Sequence, residues 1–164
     1  MPSYERLFTE TKDEWLTPPE IISSLGEFDL DPCSPINRPW DTAKNHYTIE
    51  DNGLEKKWYG RVWLNPPYGR EISHWLNKMH LHKNGIALVF AKTDTKWFQT
   101  IWEHSSAIFF LKGRLSFYNV DGTLGNSNGG SASVLVAYGE ENVNSLQNLN
   151  NDFHGSLVLN WNLK

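Results

Sequence analysis

Arg61-Val62-Trp63-Leu64-Asn65-Pro66-Pro67-Tyr68 is the stretch on which the fold turns. Residues 62–64 are apolar and β-prone. Two prolines then end the run, because neither can donate to a sheet ladder. The segment therefore reads as a buried strand that stops abruptly and leaves a polar Asn65 at its carboxyl end.

Working outward, residues 28–31 alternate and stop at Pro32, as a short strand running into a loop does. Upstream, Thr17-Pro18-Pro19-Glu20 has the form of a helix start, with Thr17 as cap and proline in the first turn. Ile21, Ile22 and Leu25 supply its apolar face and Gly26 its stop. Downstream, Ile72, Trp75, Leu76 and Met79 have helical spacing. Residues 85–91 are almost continuously apolar, which marks a strand covered on both faces. A helix is expected over 95–104, strands over 107–111 and 133–138, and a final edge strand over 155–161. Between 114 and 131 the chain is rich in Gly, Asn and Ser and reads as a loop or hairpin. Residues 32–60 are turn-rich, with one short helix expected near 43–47.

Strands alternating with helices predict an α/β, mostly parallel sheet with helices on both faces and an antiparallel strand near the C-terminus. In such sheets ligands lie beyond the carboxyl ends of the strands. Asp31 and Asn65 both sit at predicted strand ends.

The chain has 164 residues, 39% hydrophobic and 21% charged, which suits one domain spanning 1–164 with residues 1–12 as a polar arm. Eight Trp, six Tyr and eight Phe exceed what a core this size needs, so some rings are expected to stack on planar ligands. The formal net charge of −4 argues mildly against nucleic acid as partner, although an enzyme that visits DNA briefly needs only a local basic face. Arg70, Lys92, Lys96, Lys112 and Arg114 fall after predicted strands or in the long loop and are the candidates for phosphate contacts. Each of them alone reads equally as solvated charge. With one cysteine, Cys33, and six histidines without ligand spacing, no disulfide framework and no metal are expected. The N-terminus lacks a signal peptide's apolar core and no apolar run approaches a membrane span, so the default setting is cytoplasmic.

The chemistry suggested by Asn65-Pro66-Pro67-Tyr68 is specific. An exocyclic amino group on a base is a poor nucleophile because its lone pair is delocalised into the ring. The side-chain carbonyl of Asn65 and the backbone carbonyl of Pro66 could each accept a hydrogen bond from it, favour a pyramidal nitrogen and aim its lone pair at a methyl donor. Pro67 stiffens the turn, and Tyr68 would stack on the target base. Pro-Pro-Tyr by itself reads as a strand stop followed by a core tyrosine; Asn65 directly after an apolar strand, with Asp31 on another, shifts the reading to catalysis. Asp31 could hold a ligand ammonium or ribose hydroxyls, or simply cap a loop. Asp51-Asn52-Gly53-Leu54 is a tight-turn sequence in which Asp51 could accept from an adenine amino group while Leu54 packs on the ring. Trp15-Leu16-Thr17-Pro18 could cover a cofactor with an indole, or serve as an ordinary helix cap.

In this order Asp13-Glu14-Trp15-Leu16-Thr17-Pro18, Phe28-Asp29-Leu30-Asp31-Pro32-Cys33-Ser34, Tyr47-Thr48, Asp51-Asn52-Gly53-Leu54 and Val62-Trp63-Leu64-Asn65-Pro66-Pro67-Tyr68-Gly69 resemble the phage-type DNA N6-adenine methyltransferases. Residues 85–89, Trp97 and Gly113-Arg114-Leu115-Ser116-Phe117 extend the resemblance over roughly residues 13–140. It implies a single-domain, Rossmann-like class I methyltransferase fold, S-adenosyl-L-methionine as cofactor, adenine in DNA as substrate, and a phage or prophage origin in a bacterial host. It places Asn65, Pro66, Pro67 and Tyr68 on the target base and Trp15, Thr17, Pro18, Asp31, Pro32, Asp51 and Asn65 near the cofactor. The chain departs from the wider class in two ways: no glycine follows Asp31 in residues 32–37, and only 34 positions separate Asp31 from Asn65. An abbreviated cofactor region follows. Cytosine N4, a protein glutamine amide, and a non-catalytic nucleic-acid or cofactor-binding role are the competing readings.

Overall fold

The computed structural model describes residues 15–125, 131–149 and 153–160. The arm expected at residues 1–12, Asp13, Glu14 and part of the 114–131 loop lie outside them. In chain order the elements are α1 (Pro19–Leu25), β1 (Leu30–Asp31), β2 (Asn45–His46), β3 (Val62–Leu64), α2 (Ile72–His82), β4 (Gly85–Phe90), α3 (Lys96–His104), β5 (Ala107–Leu111), β6 (Ser133–Tyr138), α4 (Glu140–Gln147) and β7 (Gly155–Leu159).

The seven strands form one sheet in the order β2-β1-β3-β4-β6-β5-β7. The first four run parallel. β6 is antiparallel to both β4 and β5, so β5 shares the direction of the parallel group, and β7 again runs against β5. The sheet is thus mixed: two strands oppose the main direction where the sequence predicts one. One of them, β6, lies inside the sheet.

Both faces are covered, as the continuous apolar strands require. One face packs Trp75, Leu76 and Met79 of α2 and Phe98 and Ile101 of α3 against Leu64, Ala87, Val89, Val134 and Val136. The other packs Ile21, Ile22 and Leu25 of α1 and Leu146 of α4 against Trp63, Ile86, Leu88, Leu135 and Ala137. Arg61 ties α4 to the amino end of β3: its guanidinium donates to Asn142 Oδ1 at 2.7 Å, Ser145 Oγ at 2.8 Å and the Glu27 carbonyl at 3.0 Å, over the Phe28 ring.

Three local expectations change. The short helix near 43–47 is instead the strand β2, because Asn45 and His46 pair with β1. α4 was not anticipated: its Asn-rich sequence hides an apolar stripe of only Val143 and Leu146. Thr17 does not cap α1; the N-cap is Pro18 and no side chain caps the helix.

Candidate active site

β3 ends at Leu64, and Asn65 follows at the carboxyl end of the parallel group. The segment 15–18 lies beside it. Asn65 Nδ2 is 3.4 Å from the Trp15 carbonyl oxygen and 3.4 Å from Thr17 Oγ1. Thr17 is only 2% exposed.

Tyr68 returns to the end of β4. Its hydroxyl accepts the Phe90 backbone N–H at 2.7 Å, taking the place a further β3 carbonyl would occupy. Its ring stacks on Phe90 with centroids 4.5 Å apart and planes 12° from parallel. Trp97 leans on it at 6.2 Å, and Phe117 meets Phe90 edge-on. Tyr68 remains 44% exposed while its hydroxyl is pressed against the strand, and that desolvation raises its pKa well above the usual tyrosine value. It stays a neutral phenol at any working pH.

Asp31 lies at the end of the adjacent strand, 3% exposed. Its Oδ1 accepts the Cys33 N–H at 3.0 Å and its Oδ2 the Thr42 hydroxyl. Burial raises its pKa to about 6, against the opposing pull of those two hydrogen bonds and of nearby Arg38. No salt bridge to Asp31 occurs among the described residues. Arg38 instead bonds Asp41 and His46, beside an open cleft of about 440 Å³ lined by Ile36, Asn37, Arg38, Pro39, Asp41 and Val120.

The third motif folds as a turn. Asp51 Oδ2 accepts the Thr48 N–H at 2.8 Å, so that carboxylate closes its own loop, and Leu54 is half-buried against the core. Gly53 is what seats the turn against β1: a Cβ there would overlap the Pro32 carbonyl and come within 3.1 Å of the Trp75 ring. The Lys78 ammonium donates to the carbonyls of Gly53, Leu54 and Lys56 and fixes the turn from the α2 side. The strand-end placement thus brings Pro32 and the Asp51 turn together.

A covering layer completes the site. Tyr118 pairs with Leu16 through two backbone hydrogen bonds of 2.8 and 3.0 Å and touches Trp40 edge-on. The Trp15 indole lies against Gly125. The loop after β5 therefore folds across the 15–18 segment instead of projecting freely. Arg70, Lys92, Lys96, Lys112 and Arg114 are all exposed and follow β3, β4 or β5 at the same end of the sheet.

Sequence reading missed Phe90, Thr42 and Arg38. Phe90 had a signal, as the last ring of the apolar run at a strand end. Thr42 and Arg38 lie in a turn-rich segment whose path no periodicity marks.

The α/β sheet thus carries Asn-Pro-Pro-Tyr at the end of one strand and a buried carboxylate, Asp31, at the end of the next. The family model described as DNA N-6-adenine-methyltransferase (Dam) matches residues 5–153, and the chain belongs to that family. The resemblance to that family is borne out, and the family's description is DNA N-6-adenine methylation. No curated protein and no solved structure matches the chain. Among the described residues no helix is long and apolar enough to cross a membrane.

Proposed function

We propose that this chain transfers the methyl group of S-adenosyl-L-methionine to N6 of an adenine turned out of the DNA stack, on a class I, Rossmann-like scaffold with a shortened cofactor side. The observation that carries the reading is the position of residues 65–68, held between the Trp15-Thr17 segment and the end of β4.

The residues fit the cofactor in charge and place. Asp31 is a buried carboxylate with a raised pKa and no salt bridge among the described residues, so a ligand cation brought beside it would favour its ionised form. Each of its oxygens keeps a further acceptor position. Pro32, the Asp51 turn, Trp15, Thr17 and Pro18 surround the same end of the sheet. When bound, the cofactor supplies an electrophilic sulfonium methyl.

The rest is the work of the chain. The target amine is paired inside a duplex, so the base must leave the stack. The face of Tyr68 away from Phe90 offers it a new stacking partner, worth roughly 1–3 kcal/mol. Asn65 Oδ1 and the Pro66 carbonyl accept the two amine hydrogens and align the nitrogen lone pair with the methyl. Asn has no useful proton affinity, so the surplus proton leaves after transfer. Lys92, Lys96, Lys112, Arg70 and Arg114 contact phosphates around the extruded base.

The test is incubation of the protein with labelled S-adenosyl-L-methionine and unmethylated DNA, followed by digestion to nucleosides. Label in N6-methyladenosine is expected. Label in N4-methylcytosine would move the substrate to cytosine, and failure of the cofactor to bind in calorimetry would overturn the reading.

A further inference from the structure

The side-chain amide of Asn65 has a donor end and an acceptor end, and the fold selects which one meets the ligand. The Trp15 carbonyl carries only lone pairs, so the end of the amide 3.4 Å from it must be the NH2. Turning the amide over would set two carbonyl oxygens against each other. Thr17 Oγ1 stands 3.4 Å from the same nitrogen. That hydroxyl is buried and is not used as a helix cap, although Thr17 directly precedes the Pro18 cap position. Both contacts are long for hydrogen bonds, so they act more by excluding the wrong rotamer than by their strength. Asn65 Oδ1 is left without a hydrogen-bond donor among the described residues.

We propose that the Trp15 carbonyl and the Thr17 hydroxyl are a positioning element for the transfer. They hold the NH2 of Asn65 and leave its Oδ1 as the free acceptor for the target amine. Trp15-Leu16-Thr17 is anchored for this task, because Leu16 is paired on both its N–H and its carbonyl with Tyr118. The inference rests on the methyl-transfer reading and gives the 15–17 segment a role toward the target base, separate from any contact with the cofactor. It also explains why an amide, and not a carboxylate, stands at position 65. An aspartate has no hydrogen to give the Trp15 carbonyl.

The experiment uses the full chain and three variants: Thr17→Val, which keeps the shape and removes the hydroxyl, Thr17→Ser, which returns it, and Asn65→Ala. The single-turnover methylation rate is measured at saturating cofactor and DNA, cofactor affinity by calorimetry, and solvent exchange of the Asn65 side-chain amide by 15N NMR. The Asn65 signal is assigned by its loss in Asn65→Ala. Thr17→Val is expected to lower the rate about two- to fivefold, somewhat less than the loss of a full-strength hydrogen bond, because the 3.4 Å contact is long. Thr17→Ser recovers most of that loss, and the slow amide exchange of the wild type becomes fast in Thr17→Val. A Thr17→Val protein with weakened cofactor binding but an unchanged saturated rate overturns the proposal, as does equal loss in Thr17→Val and Thr17→Ser. An unprotected Asn65 amide in a protein that does methylate adenine overturns the positioning role alone. A protected amide in a protein that labels no DNA overturns the methyl-transfer reading instead.

Discussion

Tyr68 has two attachments that substitution can separate. Tyr68→Phe removes the hydroxyl that accepts the Phe90 N–H at 2.7 Å and keeps the ring stacked on Phe90. The freed N–H lies at a strand end where Tyr68 is 44% exposed, so water can replace part of the lost bond. The stability loss is therefore expected near 1 kcal/mol, the lower part of the range for an unpaired donor. For a chain of this length that is a fall in Tm of roughly 2–4 °C. Tyr68→Ala removes the stacking surface as well. If the ring receives the extruded base, its loss forfeits roughly 1–3 kcal/mol, a rate reduction of about 5- to 150-fold. Desolvation holds the phenol protonated, so it cannot act as a base near neutral pH. Tyr68→Phe should accordingly keep most of the wild-type rate and an unaltered pH profile. The assays are thermal melting and single-turnover methylation of a duplex. Equal rate losses in the two variants, or a shifted pH profile in Tyr68→Phe, would refute the stacking role and make the hydroxyl the working group.

Other perturbations test the rest of the site. Gly53→Ala drives a Cβ into the Pro32 carbonyl, so it should lower Tm and weaken cofactor binding together, by melting and calorimetry. Alanine at Lys112 and at Arg114 should each leave the fold intact and reduce the slope of log K against log salt for DNA by about 0.9. An unchanged slope would remove that residue from the interface. For Asp31 the folded pKa is raised from 3.8 to about 6, so in that window the native state holds a proton the unfolded chain has released, and stability falls as pH rises. That stability is fully present below pH 3.8 and lost as pH passes 6. Asp31→Asn should escape the loss, gaining up to about 3 kcal/mol over wild type at pH 7 and nothing at pH 3.5, while binding cofactor more weakly. Urea melts at the two pH values decide it.

The fold was readable where burial is periodic or continuous. Residues 85–90, 107–111 and 133–138 became strands because apolar runs of five or six residues are long enough for a buried strand and too short for a buried helix. Pro66 and Pro67 marked the end of β3 because proline cannot extend a ladder. The cofactor side was only partly readable. Alternation over residues 28–31 marked β1, but β2 has two residues, too few to carry a period, and its pairing with β1 depends on a long-range register. Thr17 shows the limit most clearly. Locally it satisfies every requirement of a helix cap, yet Pro18 takes that position and the hydroxyl turns to Asn65, 48 positions away.

An acidic chain can still suit DNA if its charge is sorted in space. The segments that follow β3, β4 and β5 carry Arg70, Lys92, Lys96, Lys112 and Arg114 against Glu71, Asp94 and Asp121. They surround the end of the sheet where Tyr68 is exposed. Asp31, a buried carboxylate with no salt bridge among the described residues, lies at the same end of the sheet, on β1 beside β3. On the proposed reading, one rim of the sheet would set cations where a phosphate backbone approaches and a buried anion where a cationic cofactor lies. Asn65 stands between them, directly after β3. Net charge averages these neighbours away, which is why −4 argues against nucleic acid and the strand order argues for it.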